Sequence, residues 1–246
     1  MNKYIILVLA LIIVGCSSNN DSSSGDFNSN DTGKAGSLAR FTTYNDYLYT
    51  VDNSNLNVFS IADRENPLKI NELNIDFDIE TLFNYKEYLY IGSQNGMYIY
   101  SVQNPETPEY LSDVQHFTAC DPVIANATHA YVTLHANIGC GTIINVLEIY
   151  DVTNVVQPVL ISSRNLTKPI GLGLYNDYLI VCDDEVKIFD VSDPQNSLLV
   201  HSINRNAFDV IVNNDTLILI GENGLYQYSL NPNSIQNTQE LSTINI

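Results

Sequence analysis

The sequence predicts an all-β protein, a five-bladed β-propeller of four-stranded antiparallel blades. Three observations lead there. A six-residue pattern (apolar, any, apolar, aromatic, polar, apolar) recurs as LNVFSI at 56–61, MYIYSV at 97–102, LEIYDV at 147–152, VKIFDV at 186–191 and LYQYSL at 225–230. Its aromatics, Phe59, Tyr100, Tyr150, Phe189 and Tyr228, stand 41, 50, 39 and 39 residues apart. A period near forty marks repeated supersecondary units. Finally, positions one and three are apolar and so are four and six, and these pairs point to opposite faces of a strand. Both faces must therefore be covered, which a sheet with one wet face does not require. Sheets stacked face to face around an axis meet that demand. An extended β-sandwich pair is the competing arrangement, and no amphipathic helix of useful length is evident.

The chain opens on Lys3 and an unbroken apolar run over 5–14. Ten residues are too few to span a bilayer as a helix. Residues 1–15 read as a signal peptide, ending in Val14-Gly15-Cys16 and followed at once by Ser17-Ser18-Asn19-Asn20. Ile13-Val14-Gly15-Cys16 resembles the bacterial lipobox. The resemblance implies cleavage before Cys16 and lipidation of its sulfur, with acyl chains such as palmitate. An ordinary secretory signal with a chance cysteine is the alternative. Paired acyl chains anchor stably, because each buried CH₂ contributes about 0.8 kcal/mol. The segment 16–37 is a Ser/Asn/Asp-rich linker with almost nothing to bury. A flexible chain of that length spans about 25 Å.

The propeller is expected over 38–246, with blades at about 38–74, 79–114, 121–163, 169–204 and 207–246. Each unit carries a second run ahead of the aromatic one: YLYTVD at 47–52, YLYIGS at 88–93, HAYVTL at 129–134, YLIVCD at 178–183 and TLILIG at 216–221. Short links such as Gln94-Asn95-Gly96 and Glu222-Asn223-Gly224 suit hairpins, since Asn and Gly tolerate positive φ. An inner strand candidate precedes each second run. A Pro-bearing turn and a last apolar piece follow the aromatic run. The final strand comes from the chain's own C-terminus, so closure of the ring is expected to rest on packing between the first and last blades.

Lys plus Arg total 10 against 28 Asp plus Glu, a net charge of −18. Such a surface repels phosphate backbones and excludes nucleic acid as a partner. No G-x-S-x-G, H-E-x-x-H or phosphate-cradling glycine loop is present. No metal or cofactor is expected.

Candidate site residues cluster on one face. Glu80, Asp121 and Asp209 begin inner strands and are expected to ring the channel mouth. The third unit has a long insertion between its second and third strands, carrying His135, Ile138, Cys140 and Ile143. Long loops in compact repeats are usually functional or disordered. Cys120 precedes the same blade's first strand, on the face that holds the insertion. A Cys120–Cys140 disulfide is expected to pin the loop, contributing about 3 kcal/mol in the chain-entropy account. Two free thiols are the alternative. Cys182 sits inside a strand and reads as a small buried hydrophobe.

VKIFDVSDP at 186–194, LEIYDVTN at 147–154 and FDVIVNNDTLILIG at 208–221 resemble the LVIVD-repeat family, propeller proteins of bacterial and archaeal cell surfaces. The similarity extends over 38–246 with varying strength. SIADREN replaces DVSDP in the first unit, and Gln227 stands where an apolar residue belongs. The resemblance implies a fold and a surface location, and no activity. The chain is thus expected to be a lipid-anchored protein of the bacterial cell envelope, at the outer membrane or cell surface. Its propeller is expected to bind or scaffold a protein or glycan without catalysis. The alternative is a carbohydrate-active enzyme of glycoside-hydrolase type using Glu80, Asp121 and Asp209.

Overall fold

The computed structural model describes residues 36–75, 78–115, 122–136 and 144–246. The signal peptide, Cys16, Cys120, Asp121, Ile138, Cys140 and Ile143 lie outside the described residues.

The protein is a five-bladed β-propeller. Blade 1 holds β1 (Phe41–Tyr44), β2 (Tyr47–Val51), β3 (Asn55–Ser60) and β4 (Leu68–Asn74). Blade 2 holds β5 (Ile79–Tyr85), β6 (Tyr88–Ser93), β7 (Gly96–Ser101) and β8 (Glu109–Gln115). Blade 3 holds β9 (Val123–Ala125), β10 (His129–Leu134), β11 (Val146–Asp151) and β12 (Val159–Asn165). Blade 4 holds β13 (Leu172–Tyr175), β14 (Tyr178–Cys182), β15 (Val186–Asp190) and β16 (Leu198–Ile203). Blade 5 holds β17 (Asp209–Asn213), β18 (Thr216–Gly221), β19 (Gly224–Ser229) and β20 (Gln239–Asn245). Every sheet is an antiparallel meander in sequence order.

The recurring pattern occupies the third strand of each blade and explains two features. After pattern position three, the fourth strand carries one extra residue: Ile70, Leu111, Ile161, Val200 and Leu241 each sit in a bulge. A bulge bends the strand and sharpens its twist, here at the same place in all five blades. Secondly, positions one and three face the following blade while four and six face the preceding one. Leu56 and Val58 pack on blade 2. Phe189 and Val191 pack back on blade 3, while Val186 and Ile188 pack forward on blade 5. Four apolar cores result, joining blades 1–2, 2–3, 3–4 and 4–5. Polar ties run the same way around the ring. Asn71 Nδ2 donates to Glu106 O at 2.8 Å, and Ser112 Oγ donates to Val155 O at 2.5 Å. Arg164 donates to Ser197 O. Each bond links a fourth strand to the turn of the next blade.

The interface between blades 5 and 1 departs from expectation. Among the described residues no apolar core joins them. Leu225 and Gln227, at positions one and three of blade 5, are only half buried, and so are Phe59 and Ile61 at positions four and six of blade 1. On those same faces Phe41 is 60% and Ile244 59% exposed. Gln227, the polar residue that breaks the pattern, stands on the one third-strand face with no following blade to cover it. The expected closure by packing of the first blade on the last is therefore corrected. The ends of the arc are held by the chain's lead segment instead, as described below.

Ile188 is fully buried between blades 4 and 5, whereas Ile218 lies on the half-covered face of blade 5. Ile188→Ala is expected to cost about 2–5 kcal/mol and Ile218→Ala about 1 kcal/mol or less. Equal losses in denaturant midpoint would mean that the outer face of blade 5 is packed after all.

The hairpins joining first and second strands place Asn45, Lys86, Asn176 and Asn214 at φ of 53°, 52°, 52° and 52°. Asn adopts this left-handed conformation readily; Lys does not. Lys86→Asn should raise stability by about 0.5 kcal/mol, read as a shift in urea midpoint at unchanged slope.

Candidate functional site

The five inner strands, β1, β5, β9, β13 and β17, wall a central channel with two mouths. The first lies where these strands begin. Residues 36–40, leading into blade 1, cross it. Ala39 O accepts a bond from Leu82 N–H of blade 2 at 2.8 Å, and the Arg40 guanidinium donates to Ile79 O at 2.7 Å. Ser37 Oγ accepts from Leu172 N–H of blade 4 at 2.7 Å and reaches Asp209 Oδ1 of blade 5 at 3.5 Å. Ser37 is 1% exposed. The chain's own backbone thus fills this mouth and ties blade 1 to blades 2, 4 and 5.

Asp209 is the hub of that tie. Its Oδ1 also accepts the Val210 N–H at 2.9 Å. Two glycines let backbone approach it: a Cβ on Gly36 would lie 2.2 Å from Oδ2, and one on Gly171 would lie 2.6 Å from Phe208 O. Burial pushes the Asp209 carboxyl above the usual carboxylate range, against the pull of backbone hydrogen bonds. Glu80 sits on β5 as the extra residue of a bulge between Ile79 and Thr81, with Gln94 Nε2 donating to its Oε1 at 3.5 Å. Glu80 and Asp209 therefore belong to strands that the lead segment bridges, rather than to an open acidic ring. His135 follows β10 and is 8% exposed, next to an Ala136 N–H bond to Asn145 Oδ1 of 2.9 Å. Cys182 is fully buried in the core between blades 4 and 5, and burial raises its thiol well above the usual range. No group of three His, Cys, Asp or Glu side chains stands together among the described residues.

The second mouth, at the turns joining first and second strands, is open. It gives onto a cavity of about 300 Å³. Half-buried Phe83, Leu174, Ile211 and Val212 line it, Leu82, Ile124, Leu172 and Val210 border it from the inter-blade cores, and Tyr85, Asn126 and Asn176 lie among the lining residues. Between them stands Asn84, 5% exposed. Its Nδ2 donates to Lys86 O at 2.8 Å and Tyr88 O at 3.0 Å. Two carbonyl partners fix the amide's orientation, since the flipped form would set oxygen against oxygen. Its Oδ1 has no partner among the described residues. Leu82 and Leu172 turn their N–H groups to the channel. Two residues on, Asn84 and Leu174 do the same, on strand edges that no other strand pairs. On the rim, the Tyr175 hydroxyl donates to Asp215 Oδ1 at 2.7 Å, and burial plus that carboxylate push it up to about 12.

Sequence reasoning placed attention on the first mouth and missed Asn84. The available signal was an Asn within a predicted strand, where its type is depleted.

No family model matches the chain, and no curated protein does. The LVIVD resemblance therefore rests on the strands quoted above. Solved structures do match. A functionally unknown protein from Desulfotomaculum acetoxidans is 10% identical, with 88% of this chain and 69% of that one covered at a TM-score of 0.66. The Pseudomonas aeruginosa periplasmic gluconolactonase PpgL is 12% identical, with 82% and 68% covered at 0.63. Kluyveromyces lactis Hsv2 is 10% identical, with 81% and 60% covered at 0.54. PpgL and Hsv2 are seven-bladed propellers. The likeness is one of fold.

The raised Asp209 carboxyl sets a pH test. Its folded form favours the proton more than the unfolded chain does, so its contribution to stability is fullest below the ordinary carboxylate range, about pH 4, and is lost as pH rises through the raised value. Asp209→Asn mimics the protonated state throughout. Wild-type stability should fall relative to the variant from pH 4 upward and then run parallel to it. Parallel curves over the whole range, from urea melts at stepped pH, would remove the carboxyl from this role.

Proposed function

We propose that this chain is a noncatalytic binding protein of the bacterial cell envelope, held to a membrane by lipid on Cys16, with its open channel mouth as the binding place. The observation that carries the reading is the cavity. Five inner strands wall about 300 Å³ with aliphatic side chains and a few uncharged polar groups, the makeup of a ligand pocket. Among the described residues, its lining holds no carboxylate, imidazole or thiol. Of the three acids expected to serve a hydrolase, Asp209 is engaged with the lead segment and Glu80 with Gln94, and Asp121 lies outside the described residues. A periplasmic gluconolactonase among the structural neighbours supports an envelope setting for such a propeller and transfers no chemistry at 12% identity. The expected capture of a protein or glycan moves to the second mouth, whose size suits a small molecule or one projecting group of a larger ligand.

The anchor is tested by fractionation. Cys16→Ala should leave the protein unprocessed or release it from the membrane fraction. Intact mass of the wild type should correspond to a chain beginning at Cys16 with acyl groups attached. Full membrane retention of a processed alanine variant would overturn the anchor.

A further inference from the structure

The closed mouth displays how this channel holds extended chain. Residues 36–40 cross it with polar groups set against the edges of inner strands. Ala39 O takes the Leu82 N–H of blade 2, and Ser37 Oγ takes the Leu172 N–H of blade 4. A strand turns the backbone groups of alternate residues to one edge, so each inner strand repeats the same offer two residues on. Asn84 and Leu174 hold that second tier on the same two strands, and both line the open cavity. The ladders fix the phase in the other blades. In blade 3, Asn126 N–H bonds His129 O at 2.9 Å and Thr133 N–H bonds Pro122 O at 3.2 Å, which leaves Ala125 facing the channel. In blade 5, Val210 N–H bonds the Asp209 carboxyl and Val212 follows two residues on. No strand pairs with any of these edges. An unpaired edge is a template for another extended chain.

We propose that the open mouth takes an extended stretch of a partner protein, laid across it as residues 36–40 lie across the other, with its backbone on the Asn84 and Leu174 edges and one apolar side chain projecting into the cavity. This rests on reading the chain as a binding protein. A peptide backbone carries a donor and an acceptor at each residue, which is what a strand edge presents in turn. Half-buried Phe83, Leu174, Ile211 and Val212 receive the projecting side chain. About 300 Å³ has room for such a side chain and not for a folded element. A sugar there would bury hydroxyls against apolar lining without partners. The turns around this mouth carry Asp46, Glu87, Asp177 and Asp215 against the single cation Lys86. That balance favours a lysine or arginine flanking the apolar residue, acting chiefly on the association rate, and it disfavours a chain end bearing a carboxylate.

The test uses the whole processed protein in detergent, applied to an array of random hexapeptides blocked at both ends and to an array of neutral oligosaccharides. Peptides with an apolar residue beside a basic one should bind. Ile211→Trp fills the cavity and should abolish that binding. Leu174→Pro removes an inward N–H and no ladder bond, and should weaken the best peptide about three- to tenfold, the worth of one neutral hydrogen bond. N-methylation along that peptide should weaken it by a similar factor at alternate positions. Circular dichroism and melting establish that both variants fold, and the N-methyl series tests the edge without altering the protein. Peptide binding that survives Ile211→Trp lies elsewhere and overturns the proposal. Binding lost with Ile211→Trp but indifferent to both N-methylation and Leu174→Pro overturns the edge pairing. Oligosaccharides that bind in place of peptides, and are lost with Ile211→Trp, overturn the peptide while leaving the mouth a binding place. Absence of any binding sensitive to Ile211→Trp overturns both the peptide and the mouth, whatever the fate of Cys16→Ala.

Discussion

Everything in this fold depends on burial of both faces of the third strand. A strand with apolar residues at positions one, three, four and six cannot rest on one neighbour. It needs a sheet on each side, and the neighbouring sheet has the same need. That mutual demand propagates from blade to blade. The bulge opposite position three adds twist to the outer, fourth strand at the same place in every blade. Full burial of side chains such as Met97, Ile99, Leu147 and Ile188 is worth about 1.5–3 kcal/mol each. The polar ties between blades are individually smaller and set register more than stability.

The same demand explains where the arc stops. Among the described residues, the preceding face of blade 1 and the following face of blade 5 are only half covered. The lead segment answers with a different interaction. Hydrogen bonds from Ser37, Ala39 and Arg40 and the backbone cradle at Asp209 cross the channel and tie the first blade to three others. Such a tie is directional and needs close backbone approach, which is why Gly36 and Gly171 stand beside Asp209. Apolar packing would have tolerated larger residues there.

The fold was legible because its signal is periodic. Five repeats of one pattern, each with a partner run and a Pro-bearing turn, point to one architecture. Even the misfit was informative: Gln227 marks the bare face of blade 5, although alone it read as a weak repeat. The site was less legible because its chemistry is not periodic. Asp209 was visible as an acid at a strand start, but its engagement with Ser37 comes from a contact 172 residues away that no local pattern encodes. Asn84 was legible as a misplaced strand residue. That its NH₂ is consumed by the hairpin at Lys86 and Tyr88, leaving the oxygen unpaired, follows only from three-dimensional geometry.

The two mouths differ because one end of the chain is tied to one of them. Residue 36 stands at the closed mouth. A tether attached there leaves the open mouth as the face farther from the point of attachment. With the proposed lipid at Cys16, the blocked mouth is turned toward the bilayer and the turns bearing Asp46, Glu87, Asp177 and Asp215 toward solvent. The plug and the pocket are then two consequences of one chain path. The segment that ties the arc together closes the channel at one mouth, and the space it leaves opens at the other.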